Sequence, residues 1–385
     1  MPERRLKILH LLVSMPVGGA EDLVAAMVTG LNPARFEVAA ATIGPPGAVA
    51  RELAAAGHPV ASLGLDVKRT PLFRVVAGVR GLLKEKRPDI LHTHLYHPNL
   101  YGRLAALGLG LTGVVAVVHN TYTRLKLHRR AANFLLAWAA DRVLAVSPQV
   151  WRDVRRYDGV PPSRLLLLPN GVDLRALNTP LSRAEARVAL GVNGFCLGAV
   201  GRLEEQKGHI YLLDALHRLK GEIPGLTLLV AGEGRRRKAL EARARDLGIG
   251  GMVRFLGTRR DLPVILKALD LYVQPSLWEG LSLALLQAMG AGLPVVGSRV
   301  EGIMQVVEDG VNGVLAPPGD GAALAGAILE LYRRPEARPR LGDAARRTVL
   351  EGYSQEAMFA RLEALYLELA ARRGSGRLGR GAPRP

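Results

Sequence analysis

The sequence predicts an α/β protein made of two doubly wound, Rossmann-like domains with parallel sheets, and three observations lead there. The chain has 385 residues, more than one hydrophobic core usually supports. Short β-rich runs alternate with helical ones, the pattern of βαβ units buried on both faces of a sheet. The rhythm breaks once, at PNGVDLRALNTPLSRAEARVALGVN (169–193), where turn residues cluster and no strand is evident.

In the first half the candidate strands are LKILHLLV, FEVAAATI, DILHTH, GVVAVVH and RVLAVS; in the second they are FCLGAVG, LTLLVAG, VRFLG, LYVQPS and LPVVGS. The break divides an N-terminal domain over 1–178 from a C-terminal domain over 179–353. Two such domains facing each other would place a ligand cleft at the carboxyl ends of both sheets. The segment SQEAMFARLEALYLELAARR reads as a C-terminal helix over 354–373. Beyond it, 374–385 is rich in Gly, Pro and Arg, has nothing to pack, and is expected to be a disordered basic tail.

Composition narrows the class. An apolar fraction of 49% is ample for two cores, and Cys196 is the single cysteine. That excludes a disulfide framework or a Cys-rich zinc site and fits a reducing cytosol; Cys196 itself reads as a buried strand residue. The start, MPERRLKILHLLVSMPVGG, has too short an apolar run for a signal peptide and contains His10. Two uncharged stretches, 104–123 and 280–298, are long enough to span a bilayer, but glycines and Pro294 split each into a helix followed by a strand. A soluble, cytoplasmic protein is expected.

The net charge of +18 admits a nucleic-acid binder, a partner of anionic membrane, or an enzyme handling phosphorylated substrates. Aromatic residues make up only 5% of the chain, too few for base-stacking platforms, and no nucleic-acid motif accompanies the charge. The match GLGLTG at 108–113 follows a helix and precedes a strand, the wrong order for a dinucleotide fingerprint. No P-loop is present. No D-x-D pair occurs, which removes the usual carboxylate anchor for a divalent metal on substrate phosphates.

The stretch QPSLWEGLSLALLQAMGAGLPVVGS (274–298) carries the most chemistry. LYVQPS reads as a strand, LWEG as a turn at its carboxyl end, and SLALLQAMGAG as a helix capped by Ser282. A helix N-terminus offers unpaired N–H groups and partial positive charge, which suit a phosphate. Glu279 stands in the turn beside it. Gln287 lies one to two turns into the helix, and its side chain tilts back toward the same mouth. A carboxylate and an amide beside a phosphate suit the hydroxyls of a sugar and a ribose.

This arrangement is similar to the E-x7-E region of the retaining GT-B glycosyltransferases of family GT4. GRLEEQKG (201–208) resembles that family's G-R-L-x-x-x-K-G loop, and PNGVD (169–173) its interdomain segment. VGGAED (17–22), VVHNT (117–121) and VEDGVNGVL (307–315) fit in order. The resemblance implies a GT-B fold with a C-terminal helix returning to the first domain. It also implies transfer of a sugar, with retention, from a nucleotide diphosphate donor to the hydroxyl of a glycan or lipid-linked acceptor.

Each assigned residue has a physical reason beside the resemblance. Arg202 and Lys207 follow a strand end, where two cations would neutralise a leaving diphosphate without a metal. Gly18 and Gly19 let backbone N–H groups approach phosphate or sugar, a role the resemblance supports; on the residues alone a tight turn is the preferred reading. His119 is implied to touch the transferred sugar, Glu279 its hydroxyls, and Gln287 the ribose. The backbone of Gly280, Leu281 and Ser282 would meet the distal phosphate, with Thr258 and Arg259 facing the nucleobase. No cofactor and no metal are expected.

Three departures from the family pattern stand out. Gln287 replaces the second glutamate and Ser282 a proline, while EGIMQ (301–305) puts Glu301 in place of a glycine and Gln305 in place of a glutamate. These leave room for two other readings, a GT-B isomerase or epimerase of nucleotide sugars and a non-catalytic binder of nucleotide sugars or polyanions. In ILHTHLYHPN, His92 and His94 share a strand face with His97 just beyond, a set that could seat zinc; an acceptor-side loop is the simpler reading. In RLKLHRRAANFLLAWAADR (124–142), Phe134, Leu135 and Trp138 read as core packing behind a basic cluster. The alternative is a peripheral role at an anionic inner-membrane surface. SPQV (147–150) reads as a structural helix cap.

Overall fold

The computed structural model describes residues 4–119 and 127–378. Among these described residues thirteen strands fall into two wholly parallel sheets. The first contains β1 (Leu6–Leu12), β2 (Phe36–Thr42), β3 (Val60–Ser62), β4 (Ile90–His94), β5 (Gly113–Val118), β6 (Arg142–Ala145) and β7 (Leu165–Leu167), in the order β3-β2-β1-β4-β5-β6-β7. The second contains β8 (Cys196–Val200), β9 (Thr227–Ala231), β10 (Val253–Gly257), β11 (Leu271–Gln274), β12 (Val295–Ser298) and β13 (Val314–Ala316), in the order β10-β9-β8-β11-β12-β13.

The strands are near-continuous runs of Leu, Val, Ile and Ala because helices cover both faces, so no alternation of polar and apolar residues is required. Ile90 and Leu91 in β4, and Val295 and Val296 in β12, are all completely buried. In each sheet the order reverses at one point, between β1 and β4 and between β8 and β11. Loops diverge to opposite faces there and open a crevice at the carboxyl ends of the strands. The ten strands read from sequence are all present. The three additional ones, β3, β7 and β13, have three residues each, too short for a periodic signal.

Two compact units result: residues 1–169 with 357–385, and residues 170–356. The boundary thus falls at the start of PNGVD, not at 178/179. The C-terminal helix, Gln355–Leu378, belongs to the first unit from Ala357 onward. Its Phe359 packs on Gly30, Leu369 on Gly113, and Glu368 accepts from Arg142 at 2.7 Å. The helix continues through 374–378, which the composition had suggested as tail; 379–385 lie outside the described residues.

The stretch GLGLTG joins helix Tyr96–Ala106 to β5, as its position after a helix implied. Among the described residues no helix is long and apolar enough to cross a membrane. Cys196 is fully buried, and that burial, with Asp270 nearby, pushes its thiol up to about 12. Ser147 caps helix Pro148–Asp158 by accepting from Val150 N at 3.1 Å, with Pro148 at the first helical position.

Candidate active site

In the second unit the carboxyl ends of β8 and β11 meet at the switch point, and side chains from both loops converge on Glu279. Its carboxylate is only 5% exposed. Lys207 Nζ donates to Glu279 Oε1 as an ion pair. Ser276 Oγ donates to the same oxygen at 2.8 Å and Gln274 Nε2 at 3.2 Å. Gln206 Nε2 donates to Oε2 at 3.4 Å and to the Trp278 carbonyl at 3.0 Å. Behind this shell the buried Tyr272 hydroxyl donates to Gln274 Oε1 at 2.8 Å, and burial pushes its phenol well above the usual range. A buried carboxylate needs such compensation, since burying an unpaired charge is costly.

Two glycines make this convergence possible. Gly208 sits at φ 63° in the left-handed region, and a Cβ there would stand 2.0 Å from the Pro275 carbonyl. It therefore lets the Lys207 loop lie directly on the end of β11. Gly302 packs against the Glu279–Gly280 turn, where a Cβ would come within 2.5 Å of both carbonyl oxygens. So although Glu301 replaces a family glycine, the next glycine performs the close approach.

Helix Leu283–Gly290 begins beside Glu279, and Ser282 caps it through a 3.4 Å bond from Leu285 N. Backbone hydrogen bonds among the described residues use none of the amides of Gly280, Leu281 or Ser282 as donors. Gln287 is half-buried one turn further along this helix. Arg202 is exposed on the β8 loop, as are Thr258 and Arg259 after β10. Arg259 is held in a bidentate pair by Asp261 at 2.7 and 2.5 Å. Gln305 caps helix Glu301–Met304, and its amide oxygen is buried without a partner. His209, next to Gly208, is buried with an unpartnered Nδ1; burial first, then the Lys207 charge, holds it down to about 4.

In the first unit, Gly18 is the N-cap of helix Gly19–Gly30 at φ −179°, a conformation open to any residue. Glu21 and Asp22 occupy the first turn and oppose a phosphate there, so this turn suits hydroxyl groups better. His119 follows β5, half-buried, and burial holds its imidazole down to about 4. Asn120 and Thr121 of VVHNT lie outside the described residues.

Two readings need correction. The histidine that joins His92 and His94 is His10, its register partner across the β1–β4 switch, and not His97. Phe134, Leu135 and Trp138 are not core: they are 59%, 78% and 66% exposed. Helix Leu127–Leu135 buries Asn133 instead, whose Oδ1 accepts from the buried Arg103 at 3.0 Å. A cleft of about 720 Å³ lined by Arg4, Lys84, Arg87, Asp89 and Arg373 lies by the amino ends of β1 and β4, the opposite end from where parallel sheets bind ligands.

Gln206, Gln274, Ser276 and Tyr272 went unremarked in the sequence. A faint signal existed, since period 2 along β11 puts Tyr272 and Gln274 on one face.

Two Rossmann-like units, each with its loops gathered at a switch point, define the GT-B class of glycosyltransferases. Residues 17–176 match the model of Glycosyltransferase Family 4, and residues 184–348 that of Glycosyl transferases group 1. The chain belongs to this family and is a glycosyltransferase. It is 30% identical to a D-inositol 3-phosphate glycosyltransferase of Geodermatophilus obscurus, over 76% of this chain and 70% of that one. It is 29% identical to the UDP-Gal:alpha-D-GlcNAc-diphosphoundecaprenol alpha-1,3-galactosyltransferase of Escherichia coli, over 65% and 68%. Among solved structures, Anabaena Alr3699/HepE in complex with UDP-glucose superimposes with a TM-score of 0.84 at 25% identity, covering 94% of this chain and all of that one.

Proposed function

We propose that this glycosyltransferase moves a hexose from a nucleoside diphosphate sugar to the hydroxyl of a glycan or lipid-linked acceptor, with retention and without a metal. The observation that carries the reading is the Lys207–Glu279 pair set beside the free amides of Gly280, Leu281 and Ser282. It puts a cation, a carboxylate and a helix N-terminus at one switch point, the groups that a diphosphate and a sugar need.

In this reading Arg202, Lys207 and the helix amides hold the diphosphate and stabilise it as the bond from the sugar's anomeric carbon to the phosphate oxygen breaks. Glu279 accepts hydrogen bonds from the sugar, Gln287 from the ribose, and Thr258 and Arg259 border the base. Gly18, Gly19 and His119 contribute contacts to the sugar. Relatives named for UDP-galactose and UDP-glucose favour uridine as the base.

The exposed Phe134, Leu135 and Trp138 favour a peripheral position on the cytoplasmic face of an anionic membrane. Arg164 stacks over Trp138 at 4.6 Å, and the exposed Arg152, Arg155 and Arg156 lie on the adjoining helix Pro148–Asp158. Aromatic rings would enter the headgroup layer while the guanidinium groups meet phosphates.

Incubation with UDP-sugars and candidate acceptors, with and without EDTA, tests the reading. Transfer of sugar to an acceptor that survives chelation supports it. Epimerisation of donor alone points to an isomerase, binding without turnover to a non-catalytic protein, and loss in EDTA restored by Mg²⁺ or Mn²⁺ to a metal-dependent transferase.

A further inference from the structure

We propose that His94 and His10 are positioning residues for His119, fixing its ring and tautomer through a hydrogen-bonded row of three imidazoles that leaves Nδ1 as the nitrogen His119 offers to a ligand. The functional part rests on the reading of His119 as a sugar contact.

The row follows from strand geometry. His10 on β1 pairs in register with His92 on β4, and His94, two residues on, points to the same face. His10 Nδ1 meets His94 Nε2 at 2.9 Å, with ring centroids 5.2 Å apart and planes inclined by 27°. That separation is what two imidazoles require when they meet nitrogen to nitrogen along a line, so the contact is edge to edge. His94 Nδ1 meets His119 Nε2 at 3.4 Å, with centroids 5.6 Å apart and planes at 28°, the same arrangement continued. His94 therefore uses both nitrogens. His92 lies against His94 at 4.5 Å between centroids, and its Nδ1 meets the Tyr366 hydroxyl of the C-terminal helix at 2.5 Å.

This geometry argues against a cation among them, although ligand atoms of His10, His92 and His94 lie within 4.8 Å of one another. A metal needs ring nitrogens aimed at one centre from about 2 Å, whereas those of His10 and His94 aim at each other.

A neutral imidazole has one donor and one acceptor nitrogen, so each bond in the row sets the next tautomer. His10, His92 and His94 are fully buried, and burial holds all four rings neutral. Among the described residues the titratable groups that face the row are its own histidines and His92, with the Tyr366 hydroxyl behind His92. His10 Nε2 is buried without a partner, and a hydrogen placed there would be an orphaned N–H, the rarer kind of unpaired buried group. The hydrogen then sits on His10 Nδ1 and is donated to His94 Nε2; His94 Nδ1–H is donated to His119 Nε2; His119 carries its own hydrogen on Nδ1. His119 is thus set as a neutral hydrogen-bond donor.

Ring-nitrogen NMR on the whole chain labelled with ¹⁵N-histidine reads this without turnover. His119 is expected in one neutral tautomer, protonated at Nδ1, between pH 5.5 and 8, and in His94→Phe its Nε2 signal should move as the ring titrates toward the ordinary histidine value. An Nε2-protonated His119 in the parent, or a His119 signal indifferent to His94→Phe, overturns the proposal. Kinetics adds a second reading: His94→Phe should lower kcat/KM about tenfold in the parent and not at all in a His119→Ala background. His94→Asn, which keeps a donor near the Nδ1 position, should recover most of the loss. Equal losses in both backgrounds would mean that His94 acts only through the fold. If His119→Ala itself keeps full activity while the spectra hold, the sugar-contact reading fails and not the row.

Discussion

Lys207 and Glu279, 72 residues apart in the chain, form an ion pair with side-chain exposures of only 14% and 5%. Along the sequence the two residues point to different parts of a ligand, the cation to phosphate and the carboxylate to sugar. The structure pairs them with each other, so in the proposed reading a diphosphate would compete with Glu279 for Lys207. Three further hydrogen bonds, from Ser276, Gln274 and Gln206, hold the carboxylate independently of Lys207.

The pair separates two substitutions that would otherwise look alike. Lys207→Ala leaves a buried carboxylate without its cation and should lower stability by about 3 kcal/mol, as well as weakening nucleoside diphosphate binding. Arg202→Ala, at an exposed position, should weaken binding while leaving stability within about 0.5 kcal/mol. Urea unfolding beside calorimetric titration of UDP measures both. Equal stability in the two variants would mean that the ion pair is not maintained in solution.

Glu279 and Gln287 should divide along kinetic lines. Glu279→Gln removes the negative charge that the proposed reading sets beside the transferred sugar and should lower kcat by about a hundredfold; it also frees Lys207, so UDP should bind somewhat more tightly. Gln287→Ala should raise the KM for donor with little change in kcat, and Gln287→Glu should be tolerated, since a carboxylate also accepts from two hydroxyls. Steady-state kinetics on the three variants decides it, and full turnover in Glu279→Gln with none in Gln287→Ala would reverse the assignment.

Exposure of Phe134, Leu135 and Trp138 predicts membrane binding that the fold does not need. Replacing all three with serine should reduce sedimentation with phosphatidylglycerol vesicles about tenfold or more while leaving the melting temperature unchanged. Equal sedimentation of parent and variant would place the interaction elsewhere or remove it.

The buried histidines predict acid sensitivity. His10 is held down to about 3 and His119 and His209 to about 4, with His92 and His94 also well below the ordinary value of 6.5. Below 6.5 the unfolded chain binds protons that the folded chain refuses, so stability is fully present above that pH and is lost as pH falls toward 4. Each such histidine contributes a slope of up to about 1.4 kcal/mol per pH unit. Thermal melts from pH 7.5 to 4.5 should show the fall, and it should be shallower in His10→Phe. A flat profile would mean that the rings take up protons without unfolding.

Much of this protein is local and therefore readable along the chain. Ten strands announce themselves as apolar runs because both faces of a parallel sheet are covered. The Ser282 cap follows from short-range hydrogen bonding, and the order of PNGVD, GRLEEQKG, LWEG and VEDGVNGVL carries the family resemblance. Tertiary structure decided what depends on packing between distant segments. Phe134, Leu135 and Trp138 read as core because apolar spacing cannot tell which face of a helix turns inward; there Asn133 takes the inward position and accepts from Arg103 of helix Tyr96–Ala106. His10 joins His94 and His119 only because β1 and β4 are neighbours at the switch point, a pairing across 84 residues. The same holds for Lys207 and Glu279: residue type told which groups could meet a sugar diphosphate, but only the approach of the β8 and β11 loops, allowed by Gly208, made them partners.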